Sequence, residues 1–208
     1  MRKETKETAI EIAGRLLPVN TYDGTKGCYV EMLEAIDDQL RAMLSHHSRV
    51  LMVRLDVHVH DRTPDNKIMS DFVERLKRWA SGNYKKNVRT GHVWCRELST
   101  DKGLHYHLIL LFNGNEVKSH YKVWEKAQQI AEHHAHRGYR NVPYFDDRPM
   151  HMMITRGDEA SYDKAFKWAS YLAKTRTKDN KYRSDKGKNY SKSKIRHKVT
   201  DDRQLTLI

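Results

Sequence analysis

Cysteine is nearly absent from this chain of 208 residues: there are 2, Cys28 and Cys95. That excludes a disulfide framework and a cysteine-based zinc site, and it fits a reducing cytoplasm. Long apolar runs are missing too. No stretch approaches the roughly 20 residues that a membrane-spanning helix needs, and residues 1–6 lead into no apolar run that would suit a secretory leader. No Gly-x-x-x-x-Gly-Lys-Ser/Thr sequence occurs, and Lys186-Gly187-Lys188 lacks the loop that would cradle phosphates, so a P-loop ATPase is excluded. Negative charge is scarce relative to positive, with 27 Asp and Glu against 39 Lys and Arg, for a formal net charge of +12. Such an excess points to a polyanionic partner, nucleic acid before anionic membrane.

Periodicity gives an outline of the fold. Residues 4–16 and 28–44 are expected to be helical; in the second, Val30, Leu33, Ile36, Leu40 and Met43 recur at helical spacing, and Pro18, Gly24 and Gly27 punctuate the link. Residues 50–59 alternate as a strand, with Leu51, Val53, Leu55, Val57 and Val59 on one face and Met52, Arg54, Asp56, His58 and His60 on the other. A helix over 68–80, a hairpin of strands 91–97 and 104–112, a helix over 120–136, a weak strand over 149–154 and a helix over 159–176 follow. Between 178 and 198 stand nine Lys or Arg against two Asp, in a segment poor in apolar residues, which predicts a flexible basic arm. The expected architecture is α+β: an antiparallel-rich sheet with helices on one face. The expected divisions are an N-terminal helical extension (1–47), a central domain (48–176) and a basic tail (177–208).

The central motif is Leu104-His105-Tyr106-His107-Leu108. Two histidines at spacing two on a strand share a face, while Tyr106, Leu108 and Leu110 point to the other. If residue 99 pairs with 103 across the hairpin, Glu97 lies directly opposite His105, with Cβ atoms roughly 5 Å apart. Two imidazoles and a carboxylate would then converge as metal ligands. Such mixed nitrogen and oxygen ligands accept Mn, Mg, Zn or Co, and Mg or Mn is the expected ion. His58-Val59-His60 repeats the spacing, but without a matching upstream carboxylate. Arg54, Asp56 and His58 are expected to line the same cleft, behind the ligands or against DNA.

A second motif, Phe166-Lys167-Trp168-Ala169-Ser170-Tyr171-Leu172-Ala173-Lys174, lies on the last expected helix. There Lys167, Tyr171, Lys174 and Lys178 would form one stripe. A phenol with a pKa near 10 is a poor nucleophile, and flanking ammonium groups would favour the phenolate and attract a phosphate. Tyr162, nine residues earlier, would lie on the opposite side of the helix, so Tyr171 is chosen as the catalytic tyrosine with Lys174 beside it.

These motifs resemble those of the HUH endonucleases, which combine a strand, a His-hydrophobic-His pair with a third polar ligand, and a Tyr-x-x-Lys-like helix. The matches are Leu51 to Val57, Glu97 with His105-Tyr106-His107, and Tyr171-Leu172-Ala173-Lys174, in that order over roughly 49–178. The wider pattern is similar to the inovirus (filamentous phage) gene-two-protein family of rolling-circle replication initiators, through Arg54-Leu55-Asp56-Val57-His58 and Val93-Trp94-Cys95-Arg96-Glu97. The resemblance implies metal-dependent nicking of single-stranded or extruded origin DNA, a covalent 5′-phosphotyrosine, and a free 3′-hydroxyl that primes replication in a bacterial cytoplasm, with a separate host helicase for unwinding. Within the superfamily a transposase or relaxase is the neighbouring alternative; outside it, a non-catalytic DNA-binding regulator.

DNA would be gripped by basic residues interleaved with aromatics. Lys85, Lys86 and Arg89 beside Tyr84, Arg137 and Arg140 beside Tyr139, and the tail with Tyr182 and Tyr190 are the candidates. His133, His134 and His136 sit on an expected helix without a carboxylate to complete a ligand set, and are expected to be exposed.

Overall fold

The structure, a computed structural model, describes residues 3–60, 65–85, 89–99, 103–175 and 189–199. Its centre is an antiparallel sheet of six strands. The long strand β5 (Arg49–Val59) pairs on one side with β7 (Gly103–Asn113), which pairs in turn with β6 (Gly91–Ser99). On its other side β5 pairs with β9 (His151–Thr155) along its first half and with β8 (Tyr139–Asn141) at its end.

Alternation in these strands makes two faces, and both are covered. Leu51, Val53, Leu55 and Val57 of β5 join Tyr106, Leu108 and Leu110 of β7 in a core closed by Phe72 and Leu76 of α2 (Lys67–Asn83) and Ala127 and Ile130 of α3 (His120–His133). On the other face Val50, Met52, Ile109 and Leu111 meet Leu33, Ile36 and Leu40 of α1 (Val30–His46) and Tyr162 and Phe166 of α4 (Glu159–Ala169). The expectation of helices on one face is therefore corrected. The sheet strands are apolar on both sides for part of their length, and each face needs a cover.

The N-terminal region is also corrected. Residues 4–16 are not helical: β1 (Glu4–Thr5) pairs with β4 (Cys28–Tyr29), and β2 (Ala9–Ile12) forms a hairpin with β3 (Arg15–Pro18). Ala13 and Gly14 both have positive φ, 49° and 75°. That is the backbone of a two-residue hairpin turn, which twists with its strands and which glycine adopts without steric cost. Ile12 and Leu17 enter the same core as α1, so this region is built into the sheet's cover and is not a helical extension.

The tail differs from expectation as well. The described part, 189–199, adds β10 (Tyr190–Lys192) antiparallel to the edge of β6 and then crosses α1. Lys192 Nζ lies 2.5 Å from Asp38, the His46 ring bonds the Arg196 carbonyl at 2.9 Å, and Lys198 N donates to Ser45 Oγ at 2.8 Å. Pairing satisfies an open sheet edge, which composition alone does not reveal. The remainder of the expected arm, including Lys178 and Tyr182, lies outside the described residues. Among the described residues no helix is long and apolar enough to cross a membrane.

His92 on β6 gives the fold a titratable core position. It is buried, with its Nδ1 lacking a hydrogen-bond partner among the described residues. Burial, aided by Lys77 and opposed by Glu74, pushes its pKa down to about 4. A folded-state value below the ordinary 6.5 means that neutral His92 stabilises the fold fully above pH 6.5, and that this contribution is lost as pH falls toward about 4. Urea unfolding should show a loss of up to about 3 kcal/mol across that window. His92→Leu should flatten the profile there, and an unchanged slope in that variant would remove His92 as the cause.

Candidate metal and tyrosine site

The site lies where the α1 face of the sheet turns from apolar to polar. Along β5 this face reads Val50, Met52, Arg54, Asp56, His58; along β7 it reads Leu111, Ile109, His107, His105; along β6, Val93, Cys95, Glu97. The register pairs Ser99 with Gly103 and so sets Glu97 opposite His105, as the hairpin spacing predicts. On the far side of β7, His58 stands opposite His105 and Asp56 opposite His107. Glu97, His105 and His107 are all buried, at 3–4% exposure, so the imidazoles do not lie on an open surface.

Their potential ligand atoms lie within 4.8 Å of one another. Glu97 Oε2 is 3.3 Å from His107 Nε2 and 3.8 Å from His105 Nε2. The other nitrogen of each ring is engaged. His107 Nδ1 meets Asp56 Oδ1 at 2.6 Å, and His105 Nδ1 meets the Gly103 carbonyl at 3.1 Å. Gly103 has φ 67°, the left-handed conformation that lets the hairpin turn its carbonyl there. Both oxygens accept, so both Nδ1 atoms carry a proton, and Nε2 is the nitrogen of each ring that faces the Glu97 carboxylate. A carboxylate oxygen and two ring nitrogens thus face one space and could hold a metal ion between them.

That arrangement fits a metal. Ligand atoms about 2.0–2.2 Å from a shared ion would be roughly 3–3.5 Å apart; the 3.3 Å separation lies in that range and the 3.8 Å one just beyond it. Burial, with His107 nearby, pushes the His105 pKa down, against the Gly103 carbonyl, Glu97 and Asp56; the imidazole stays neutral, as a ligand must. Burial works to raise the Asp56 carboxyl, but the His107 hydrogen bond and charge, with Arg54 and Arg148, hold it well below the ordinary carboxylate range. Asp56 is thus an ionised acceptor that orients His107 from behind.

Tyr171 stands beside this cluster, its ring centroid 5.4 Å from that of His107. It does not sit on a continuing α-helix. α4 ends at Ala169, and Ser170–Ala173 form a 3-10 turn. The Ser170 hydroxyl donates to the Lys167 carbonyl at 2.7 Å and accepts from Asn20 N at 2.9 Å, which competes with helical bonding and pins the turn to the N-terminal segment. In a 3-10 turn residues three apart eclipse. Lys174 Nζ accordingly lies 3.4 Å from the Tyr171 ring centroid, and it also donates to Tyr22 Oη at 2.9 Å. The Arg54 guanidinium lies 4.1 Å from the same ring centre. The four-residue stripe is corrected: Lys167 is exposed, with no contact to Tyr171 among the described residues, and Lys178 falls outside them.

The expected lowering of the Tyr171 pKa is also corrected. Burial raises it; Arg54 opposes, while Glu97, Asp56 and Tyr22 add to the rise. Tyr162 is buried in the core with its hydroxyl 2.6 Å from Asp37 Oδ1, so of the two tyrosines near the chain's last helix Tyr171 is the one at the site.

Sequence reasoning misses Tyr22, Ser170 and Arg148. Arg148 Nη2 lies 3.3 Å from Asp56 Oδ2, and its guanidinium covers the Phe145 ring at 3.4 Å. Tyr22 and Arg148 come from loops with no periodic signal, and Ser170 reads in the sequence as part of a longer helix. Of the expected DNA-gripping aromatics, Tyr139 is buried with its hydroxyl bonded to the Ile68 carbonyl and cannot stack on a base. An exposed set lies elsewhere: the rings of His120, Tyr121, Trp124, Tyr144 and His151 touch in a chain, with His120 and His151 stacked at 4.0 Å.

Fold and site together define an α+β protein with a buried carboxylate and two imidazoles beside a cation-flanked tyrosine. The chain belongs to the YagK/YfjJ C-terminal domain family, whose model matches residues 16–189. That description specifies no activity. No curated protein and no solved structure matches the chain.

If Asp56 orients His107 for a metal, Asp56→Asn should weaken Mn²⁺ binding by roughly 10–100-fold. Calorimetric titration of wild type and variant would measure this. Equal affinities would show that the carboxylate is merely structural.

Proposed function

We propose that this chain is a metal-dependent enzyme that nicks and rejoins single-stranded DNA through Tyr171, an HUH-type initiator of rolling-circle replication in a phage or plasmid. The observation that carries the reading is the seat of Tyr171: its ring packs against His107, itself part of the three-donor cluster, with Arg54 and Lys174 over it. A tyrosine so placed is costly to justify as packing alone, because two cations and two buried carboxylates surround it.

In the proposed reaction the Tyr171 oxygen bonds to the scissile phosphorus, and the bond from phosphorus to the 3′-oxygen breaks. The phenol's proton ends on that oxygen, giving a 5′-phosphotyrosine and a free 3′-hydroxyl. Rejoining is the reverse. Glu97, His105 and His107 would hold the metal; when bound, it would polarise the phosphate oxygens and offset the carboxylate charges that keep the phenol protonated. Arg54 supports the reading in a second way. Its Nη2 is buried without a hydrogen-bond acceptor among the described residues, and a non-bridging phosphate oxygen would supply one. Lys174 would offset charge beside the phenol.

The exposed aromatic chain supports a single-stranded substrate. Tyr121 and Tyr144 are 50% and 36% exposed, and Trp124 is fixed by a 2.8 Å bond from Nε1 to the Val142 carbonyl. Unpaired bases stack on such rings, each worth about 1–3 kcal/mol. Phe145 and Arg148 connect the patch to Asp56 at the site.

Incubation of the protein with origin single strands and Mn²⁺ should yield a covalent adduct on a denaturing gel. Tyr171→Phe should abolish the adduct and retain DNA binding, whereas Trp124→Ala with Tyr144→Ala should weaken binding about tenfold or more. An adduct from Tyr171→Phe, or none from the wild-type chain, would sink the proposal.

A further inference from the structure

On the opposite side of the sheet from Glu97, His105 and His107, α2 and α3 diverge around a cleft of about 320 Å³. Its walls are Arg75 and Arg78 of α2, Lys126, Gln129 and His133 of α3, and His134 just after α3. Ile130 forms part of the lining, and no carboxylate does. Three fixed positive charges and two imidazoles therefore face one space with no anion among the lining residues.

The hydrogen bonding at this cleft is incomplete. Arg75 Nε and His134 Nδ1 are both shut off from solvent and have no partner among the described residues. A buried donor left unmade costs about 1–3 kcal/mol, more for a charged group. Carboxylates on the same two helices are engaged elsewhere: Asp71 lies 3.8 Å from Arg137, Glu74 is 2.8 Å from Lys77, and Glu132 accepts from Gln128 at 2.8 Å. Gathering like charges and stranded donors in one cleft is unfavourable unless something negative completes it. Burial pushes the His134 imidazole below its ordinary value, and Arg75, His133, Arg137 and His136 nearby act in the same direction.

We propose that the α2–α3 cleft is a binding site for phosphate groups, in which the Arg75 and Arg78 guanidiniums, Lys126 and the His134 ring donate to phosphate oxygens. Guanidinium pairs match the planar spacing of phosphate oxygens, and Gln129 offers a neutral donor beside them. His133 and His134 belong to no metal-competent cluster: among the described residues that cluster is Glu97, His105 and His107 on the other face. The phosphate has two sources with the same chemistry, a nucleic-acid backbone or a free phosphate compound. The site is independent of the nicking reaction, since it lies across the sheet from Tyr171.

The test uses the full chain in EDTA, titrated with sodium pyrophosphate and, separately, with single-stranded oligothymidine over a range of salt. Arg75→Gln with Arg78→Gln should weaken pyrophosphate binding at least tenfold. The single variant Arg78→Gln, at an exposed position, should give a smaller loss in the same direction even if the double variant folds poorly. If a nucleic-acid backbone is the source, both variants also weaken oligothymidine and lower its salt dependence by about 0.7 per lost contact. If a free phosphate compound is the source, oligothymidine binding does not change while pyrophosphate binding falls. Binding of both ligands that is unaltered by either variant, or no saturable binding of either, would overturn the proposal. No arm depends on metal or on Tyr171, so a failure here leaves the nicking reading untouched.

Discussion

The antiparallel register of β6, β7 and β5 is the constraint on which the site depends. It draws Glu97, His105 and His58 into one row across three strands and Cys95, His107 and Asp56 into the next. Because side chains in a strand alternate strictly, a slip of one residue in β7 would send both histidines into the apolar core and bring Tyr106 out. The same pairing that secures Tyr106, Leu108 and Leu110 on one face thus fixes the imidazoles on the other. Anchoring of each Nδ1, by Asp56 and by the Gly103 carbonyl, then settles which nitrogen is left to face Glu97.

Burial raises the stakes of this arrangement. A carboxylate sequestered from water is tolerated only with partners. Asp56 has three, in His107, Arg54 and Arg148, contributed by two strands and a loop. Around Tyr171 the balance is closer. Burial and the two acids hold the phenol protonated while Arg54 opposes them, so its reactivity turns on whatever offsets the acids. Under the proposed nicking reaction, a tyrosine held protonated in this way would react only once its ligands are assembled.

Much of this was legible in the sequence, for definite reasons. The hairpin length fixed the opposition of Glu97 and His105, and strand alternation separated His105 and His107 from Tyr106. Longer amphipathic helices such as α1 and α2 announced themselves through their spacing. What was not legible depends on contacts between distant segments. Ser170 reads as an ordinary helical residue until Asn20 meets its hydroxyl, and that meeting is what ends the helix and turns Tyr171 and Lys174 into neighbours. Helical spacing at 4–16 concealed a hairpin whose signal was one glycine, Gly14. The basic composition of the tail hid a strand at Tyr190–Lys192, because edge pairing needs only backbone groups. Arg148 reaches Asp56 from a loop that no periodicity describes.

The central claim is that Glu97, His105 and His107 share one divalent cation beside Tyr171. Anomalous diffraction from crystals soaked in Mn²⁺ tests it most directly. The account predicts a single strong peak at roughly 2.0–2.4 Å from Glu97 Oε2 and from both Nε2 atoms. An absent peak at saturating Mn²⁺, or one bound through other side chains with the two Nε2 atoms uncoordinated, would contradict it.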